Sequence, residues 1–115
     1  MYTKIGISII FLLGSFIAEA KAEKVFTPEQ LMESYQKKSF PREGKVKDTN
    51  KQQIEFGACQ QVINQLTSPL RGRYPVRVEE DSPQEYTIKV WVNDGTIVME
   101  CLSSGEMVTT QRIYR

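Results

Sequence analysis

A chain of 115 residues has room for one domain, and 15 Lys and Arg against 14 Asp and Glu leave it almost neutral. That balance argues against nucleic acid, which calls for a basic footprint. The lack of any histidine removes the commonest general base and metal ligand.

The first element is a leader. Lys4 provides a positive start, Ile5 to Ile17 is continuously apolar apart from Gly and Ser, and Ala18-Glu19-Ala20 or Ala20-Lys21-Ala22 offers small residues at a cleavage site. The apolar run falls short of the roughly 20 residues that span a bilayer. Residues 1–22 therefore read as a signal peptide, with an uncleaved anchor as the alternative. No stable membrane insertion is expected after cleavage, and the mature protein is expected to be periplasmic or secreted. Loss of Lys4, Glu19 and Lys21 with the leader leaves equal numbers of acidic and basic residues. An exported chain with two cysteines, Cys59 and Cys101, is best read as carrying one disulfide rather than a redox or metal site.

After the leader comes a short helix. Thr27 is its N-cap, Pro28 its first residue and Gln30 the partner that completes a capping box. Phe26 and Leu31 occupy the staple positions, and the helix is expected to reach about Lys38. Residues 36–53 are polar and broken by Pro41 and Gly44, so residues 23–53 read as a short helix followed by a basic linker. Lys37, Lys38, Arg42, Lys45, Lys47 and Lys51 face only Glu43 and Asp48 there. Such a stretch is ordinarily a solvated connection; contact with an acidic partner or lipid headgroups is the alternative. The main helix is expected from about Thr49 to Leu66, where Ile54, Ala58, Val62 and Leu66 form a stripe with Cys59 and Ile63 beside it.

From Tyr74 the apolar period becomes two. Tyr74, Val76 and Val78 alternate with Pro75, Arg77 and Glu79, and Tyr86, Ile88, Val90 and Val92 alternate with Thr87, Lys89, Trp91 and Asn93. Asp94-Gly95 signals a type I′ hairpin. With those two residues as the loop, Val92 pairs with Ile97, Val90 with Met99 and Ile88 with Cys101. Cys101 then lies on the face that the main helix must cover, which brings it to Cys59. A bridge there would close a loop of roughly 40 residues and contribute on the order of 3–4 kcal/mol. Ser104-Gly105 makes the next turn and Glu106 to Tyr114 a last strand. Residues 54–115 thus read as an α+β domain: one main helix packed on a four-stranded antiparallel meander, with the short helix in front.

On the opposite face the same register places Thr87 across from Leu102, Lys89 across from Glu100 and Trp91 across from Val98. If that face is open, these six residues are candidates for partner binding, with Trp91 as anchor. If the N-terminal segment folds over it, the face is a second core. Chemistry finds little support. Glu79-Glu80-Asp81 lacks the spacing of a calcium loop. Arg71, Arg73 and Arg77 could grip a carboxylate or phosphate, although Arg77 alternates onto a different face from Tyr74 and Val76. No catalytic, cofactor or metal residues are assigned, and an enzyme is not expected.

Residues 58–108 resemble a PepSY-type domain. The resemblance rests on a helix containing Ala58, Gly72 ahead of a short alternating strand, Tyr86-Thr87-Ile88-Lys89-Val90 as a tyrosine-led strand, Asp94-Gly95 as hairpin, and Ser104-Gly105-Glu106-Met107-Val108 at the closing turn. Leu102-Ser103 departs from the Val-Asp pair usual before that turn, and the cysteine pair is no part of the motif. The resemblance implies binding or inhibition of a peptidase, or a regulatory place in an envelope protein, and no catalytic residue. Two roles follow: a binding or inhibitory module acting on an envelope protein such as a peptidase, hydrolase or toxin, or a structural or accessory subunit of an envelope assembly.

Overall fold

A computed structural model describes residues 24–115; the leader expected over 1–22 lies outside the described residues. Two helices, α1 (Pro28–Lys37) and α2 (Phe56–Thr67), accompany five strands: β1 (Glu43–Gln53), β2 (Val76–Asp81), β3 (Glu85–Val92), β4 (Gly95–Leu102) and β5 (Glu106–Tyr114). The strands form one antiparallel sheet in the order β1-β5-β4-β3-β2. The expected meander β2 to β5 is present, and a fifth strand, β1, is added outside β5.

That fifth strand corrects the linker. Residues 43–53 pair with β5 from Glu43–Tyr114 to Gln53–Glu106. From Lys45 onward both faces of β1 are exposed, so its side chains need no apolar alternation and the sequence carries no strand signature. Its lysines suit an outer edge, where charge discourages pairing with other chains. The strand also displaces the start of α2, which begins at Phe56 instead of near Thr49. Glu55 caps it, its carboxylate accepting from the Ala58 N–H at 3.1 Å.

The β3–β4 hairpin turns at Asn93-Asp94, one step earlier than the Asp94-Gly95 reading. Val92 pairs with Gly95, Val90 with Ile97, Ile88 with Met99 and Tyr86 with Cys101. Neither turn residue has positive φ, so the turn is not type I′. Gly95 is instead a sheet residue, because a Cβ there would sit 1.8 Å from the Arg112 carbonyl oxygen on β5. Moving the turn by one residue shifts every cross-strand pair by two and leaves each side chain on its expected face.

α2 covers one face, where Cys59 and Ile63 pack with Ile88, Val90, Met99, Cys101 and Met107. The Cys59–Cys101 disulfide crosses this core with Cα atoms 5.8 Å apart, within the normal range for a bridge. On the other face, α1 buries Leu31 against Trp91 and Tyr114, with Phe26, Phe40 and Tyr74 around them. The α1 capping box forms as expected: Gln30 N–H donates to Thr27 Oγ1 at 3.1 Å, and Thr27 N–H to Gln30 Oε1 at 2.9 Å. The turn residue Asn93 holds the approach to this helix. Its carbonyl accepts from Phe26 N–H at 2.8 Å, its amide donates to the Phe26 carbonyl at 2.7 Å, and its Oδ1 accepts from Tyr74 OH at 2.7 Å.

Candidate binding site

Of the six residues on the Trp91 face, Trp91 itself is the least accessible. It is 1% exposed, and its indole stacks on Phe40 with ring centroids 3.9 Å apart and planes 11° from parallel. The reading of Trp91 as an exposed anchor is therefore corrected: α1 and the turn after it fold over this end of the sheet and make it a second core. Thr87 is also buried and donates to Glu85 Oε2 at 2.6 Å. Lys89 pairs with Glu43 at the start of β1, and its ammonium lies 5.0 Å from the Trp91 ring centre. Glu43 also accepts from Thr96 Oγ1 at 3.3 Å, so both its oxygens are engaged inside the fold.

Val98, Glu100 and Leu102 lie farther along the same face and are half-buried. Their cross-strand partners on β3 are Lys89, Thr87 and Glu85, not the ones the sequence suggested. Burial, together with the nearby Glu85 carboxylate, pushes the Glu100 carboxyl above its ordinary value. That is the response of an acid placed among sheet side chains with no cation opposite it.

Covering Trp91 creates a different surface at the flank of α1. Pro28, Met32, Tyr35 and Gln36 form a stripe at helical spacing along that flank. They face the segment from Arg71 to Arg77 across a trough made of three adjoining depressions. The first, about 490 Å³, is lined by Tyr35, Gln36, Lys38, Phe40 and Arg77. The second, about 170 Å³, brings Met32 and Tyr35 together with Arg71, Pro75 and Val76. The third, about 230 Å³, runs from Met32 and Gly72 to Pro28 and Arg73. Tyr35 borders the first two, and Met32 and Gly72 border the last two, so they lie side by side along the flank of α1.

Local backbone chemistry fixes the walls. The 3-10 turn Ser68–Leu70 prolongs α2, and the Leu70 carbonyl then accepts from both Arg73 N–H at 3.1 Å and Tyr74 N–H at 2.8 Å. Gly72, with φ of 85°, permits that tight reversal, and Arg71 and Arg73 on its two sides line the second and third depressions. On the opposite wall α1 ends at Lys38, whose φ of 56° is left-handed and is held by N–H bonds to the Ser34 and Tyr35 carbonyls. A non-glycine residue in that conformation stores on the order of 1 kcal/mol of strain. It turns the chain so that Phe40 comes back under the helix onto Trp91.

Four cations line the trough, Lys38, Arg71, Arg73 and Arg77, against one acid, Glu29, which shares the third depression with Arg73. The Arg77 guanidinium lies 4.9 Å from the Trp91 ring centre and 5.9 Å from that of Phe40. Its Nε donates to Glu79, and no hydrogen bond within the described residues uses its terminal nitrogens. The alternation of Arg77 onto the far side from Tyr74 and Val76 seemed to separate the three arginines. The far side is the one that α1 occupies, so Arg77 lines a depression against that helix just as Arg71 and Arg73 line the other two. Phe40, a lone aromatic in a polar stretch, was the available signal that this stretch returns to the body of the fold.

The trough has the chemistry of recognition. It offers guanidinium forks for carboxylates, aromatic faces and a narrow apolar floor. Among the described residues no group of His, Cys, Asp and Glu could hold a metal ion, and both cysteines are tied in the buried bridge. No family model, no curated protein and no solved structure matches the chain.

Proposed function

We propose that the protein is an exported, non-catalytic binding module that engages a protein of the cell envelope, such as a peptidase, hydrolase or toxin, through the trough between α1 and the Arg71–Arg77 segment. The observation that carries this reading is the row of four cations, with Tyr35 and Phe40 and the single acid Glu29, along depressions beside a sheet edge on which no further strand lies among the described residues. The disulfide supports an oxidising compartment, in keeping with the leader-like segment Lys4 to Ala22. The PepSY-type resemblance of residues 58–108 supports a binding or inhibitory role. Val98, Glu100 and Leu102 extend the surface a partner could touch on the same face. The long outer edge of β1, exposed on both faces, favours the second reading, an accessory subunit docked in an envelope assembly.

Site-specific photocross-linking separates these. A benzoylphenylalanine placed at position 35 should capture a discrete envelope protein in living cells, and the capture should fall when Arg73→Glu is added. The same probe at position 49, on β1, should capture nothing. Capture at position 49 alone would select the accessory-subunit reading and discard the trough.

A further inference from the structure

We infer that the trough receives an acidic, extended segment of the partner, which adds as a further strand on the outer edge of β2 and sets its carboxylates against Arg77, Arg73 and Lys38. The inference deepens the binding role proposed above and rests on it.

Main-chain geometry supplies the first argument. Trp91 N–H donates to the Pro75 carbonyl at 3.1 Å, and the register continues as Val76–Val90, Arg77–Lys89 and Val78–Ile88. In an antiparallel pair, mutually bonded residues alternate with non-bonded ones. Pro75 and Arg77 therefore face β3, while the N–H and C=O groups of Val76 and Val78 point outward. Among the described residues no other strand takes them. Such a row is the template for strand addition, in which main-chain bonds give affinity and alternate side chains give specificity.

Side-chain chemistry supplies the second. An added strand would alternate like its neighbour. On the Arg77 side its residues meet the rim of the trough, where the terminal guanidinium nitrogens fit a carboxylate in a forked pair. On the other side they lie beside Val78, which is 46% exposed. The matching pattern alternates acidic and aliphatic residues. Beyond Val78 the register shifts and the acidic run Glu79-Glu80-Asp81 begins, so the acidic stretch of the ligand must end there.

The test uses the purified protein and a short acetylated peptide alternating Glu and Val, with a Lys and Val peptide and phosphatidylglycerol vesicles as comparators. Fluorescence anisotropy gives affinity, and amide hydrogen exchange reads the edge. The expected result is binding of the acidic peptide that weakens at high salt, with new protection of the Val76 and Val78 amides. Arg73→Glu, exposed and outside the core, should weaken it on the order of tenfold, and Arg77→Glu should do the same if its melting temperature is unchanged. Binding without protection of those two amides overturns strand addition. Equal affinity for the Lys and Val peptide, or preference for the vesicles, overturns the acidic-segment assignment. Failure of the acidic peptide while position 35 still cross-links a partner defeats this inference alone; failure of both defeats the binding role as well.

Discussion

At the scale of single residues, Trp91 decides how this face of the sheet is understood. Its ring is sandwiched by Phe40, overlaid by Arg77 and Lys89, and packed with Leu31. Truncation to Ala would leave a large void beneath α1 and should cost about 3–5 kcal/mol, measured as a loss of unfolding free energy in urea. The indole Nε1 is buried without a hydrogen-bond partner, a defect that costs roughly 1–3 kcal/mol in similar settings. Trp91→Phe removes that donor and keeps an aromatic surface for Phe40, so it should cost well under half of what Trp91→Ala does. Near-native stability of Trp91→Ala would mean that α1 does not hold the face closed.

Among the elements, what was legible followed the strength of the apolar pattern. The period-two runs of β3 and β4 placed Cys101, Ile88 and Val90 on the right face, because face depends only on parity. The pairing was misread because Gly95 resembles a turn residue and is in fact pressed against β5. Gly95→Ala should therefore destabilise by about 3 kcal/mol or more, seen in thermal unfolding, whereas a true turn glycine in open space would cost far less. β1 was illegible for the opposite reason, having no buried side chain from Lys45 onward to betray it. The trough was missed with it, since Lys38 and Phe40 belong to the stretch taken for a linker. A pH effect also belongs to the sheet. The Glu100 carboxyl is raised above its ordinary value of 4.5, by burial first and by Glu85 second. The folded protein thus holds that proton more tightly than the unfolded chain. The resulting stability is present below pH 4.5 and disappears as pH rises through the folded value, leaving a charged Glu100 that disfavours folding at pH 7. Glu100→Gln should raise the melting temperature at pH 7, and the difference from the parent should shrink toward pH 4. A gap that does not change with pH would point to packing rather than charge.

For the molecule as a whole, the disulfide joins the two halves of the fold that chain connectivity keeps apart. α2 is tied to the sheet by a bond between Cys59 and Cys101, at a sequence separation of 42, and among the described residues α2 is the α-helix that covers that face. A domain of this size has a net stability of only about 5–15 kcal/mol. Both cysteines are fully buried, so paired replacement by Ala removes the cross-link and also some core packing. The cross-link alone accounts for on the order of 4 kcal/mol in the chain-entropy model. At roughly 4–8 °C per kcal/mol for a domain under 100 residues, the double variant should melt at least 15 °C lower. Reducing agent should do little to the native parent, because the sulfurs are inaccessible until the fold opens, and should match the variant only after unfolding in its presence. Calorimetry of parent, reduced parent and double variant checks both statements. A double variant that melts within a few degrees of the parent would show that helix packing alone holds the two halves together, and the bridge would then be a consequence of the fold's geometry instead of a condition for it.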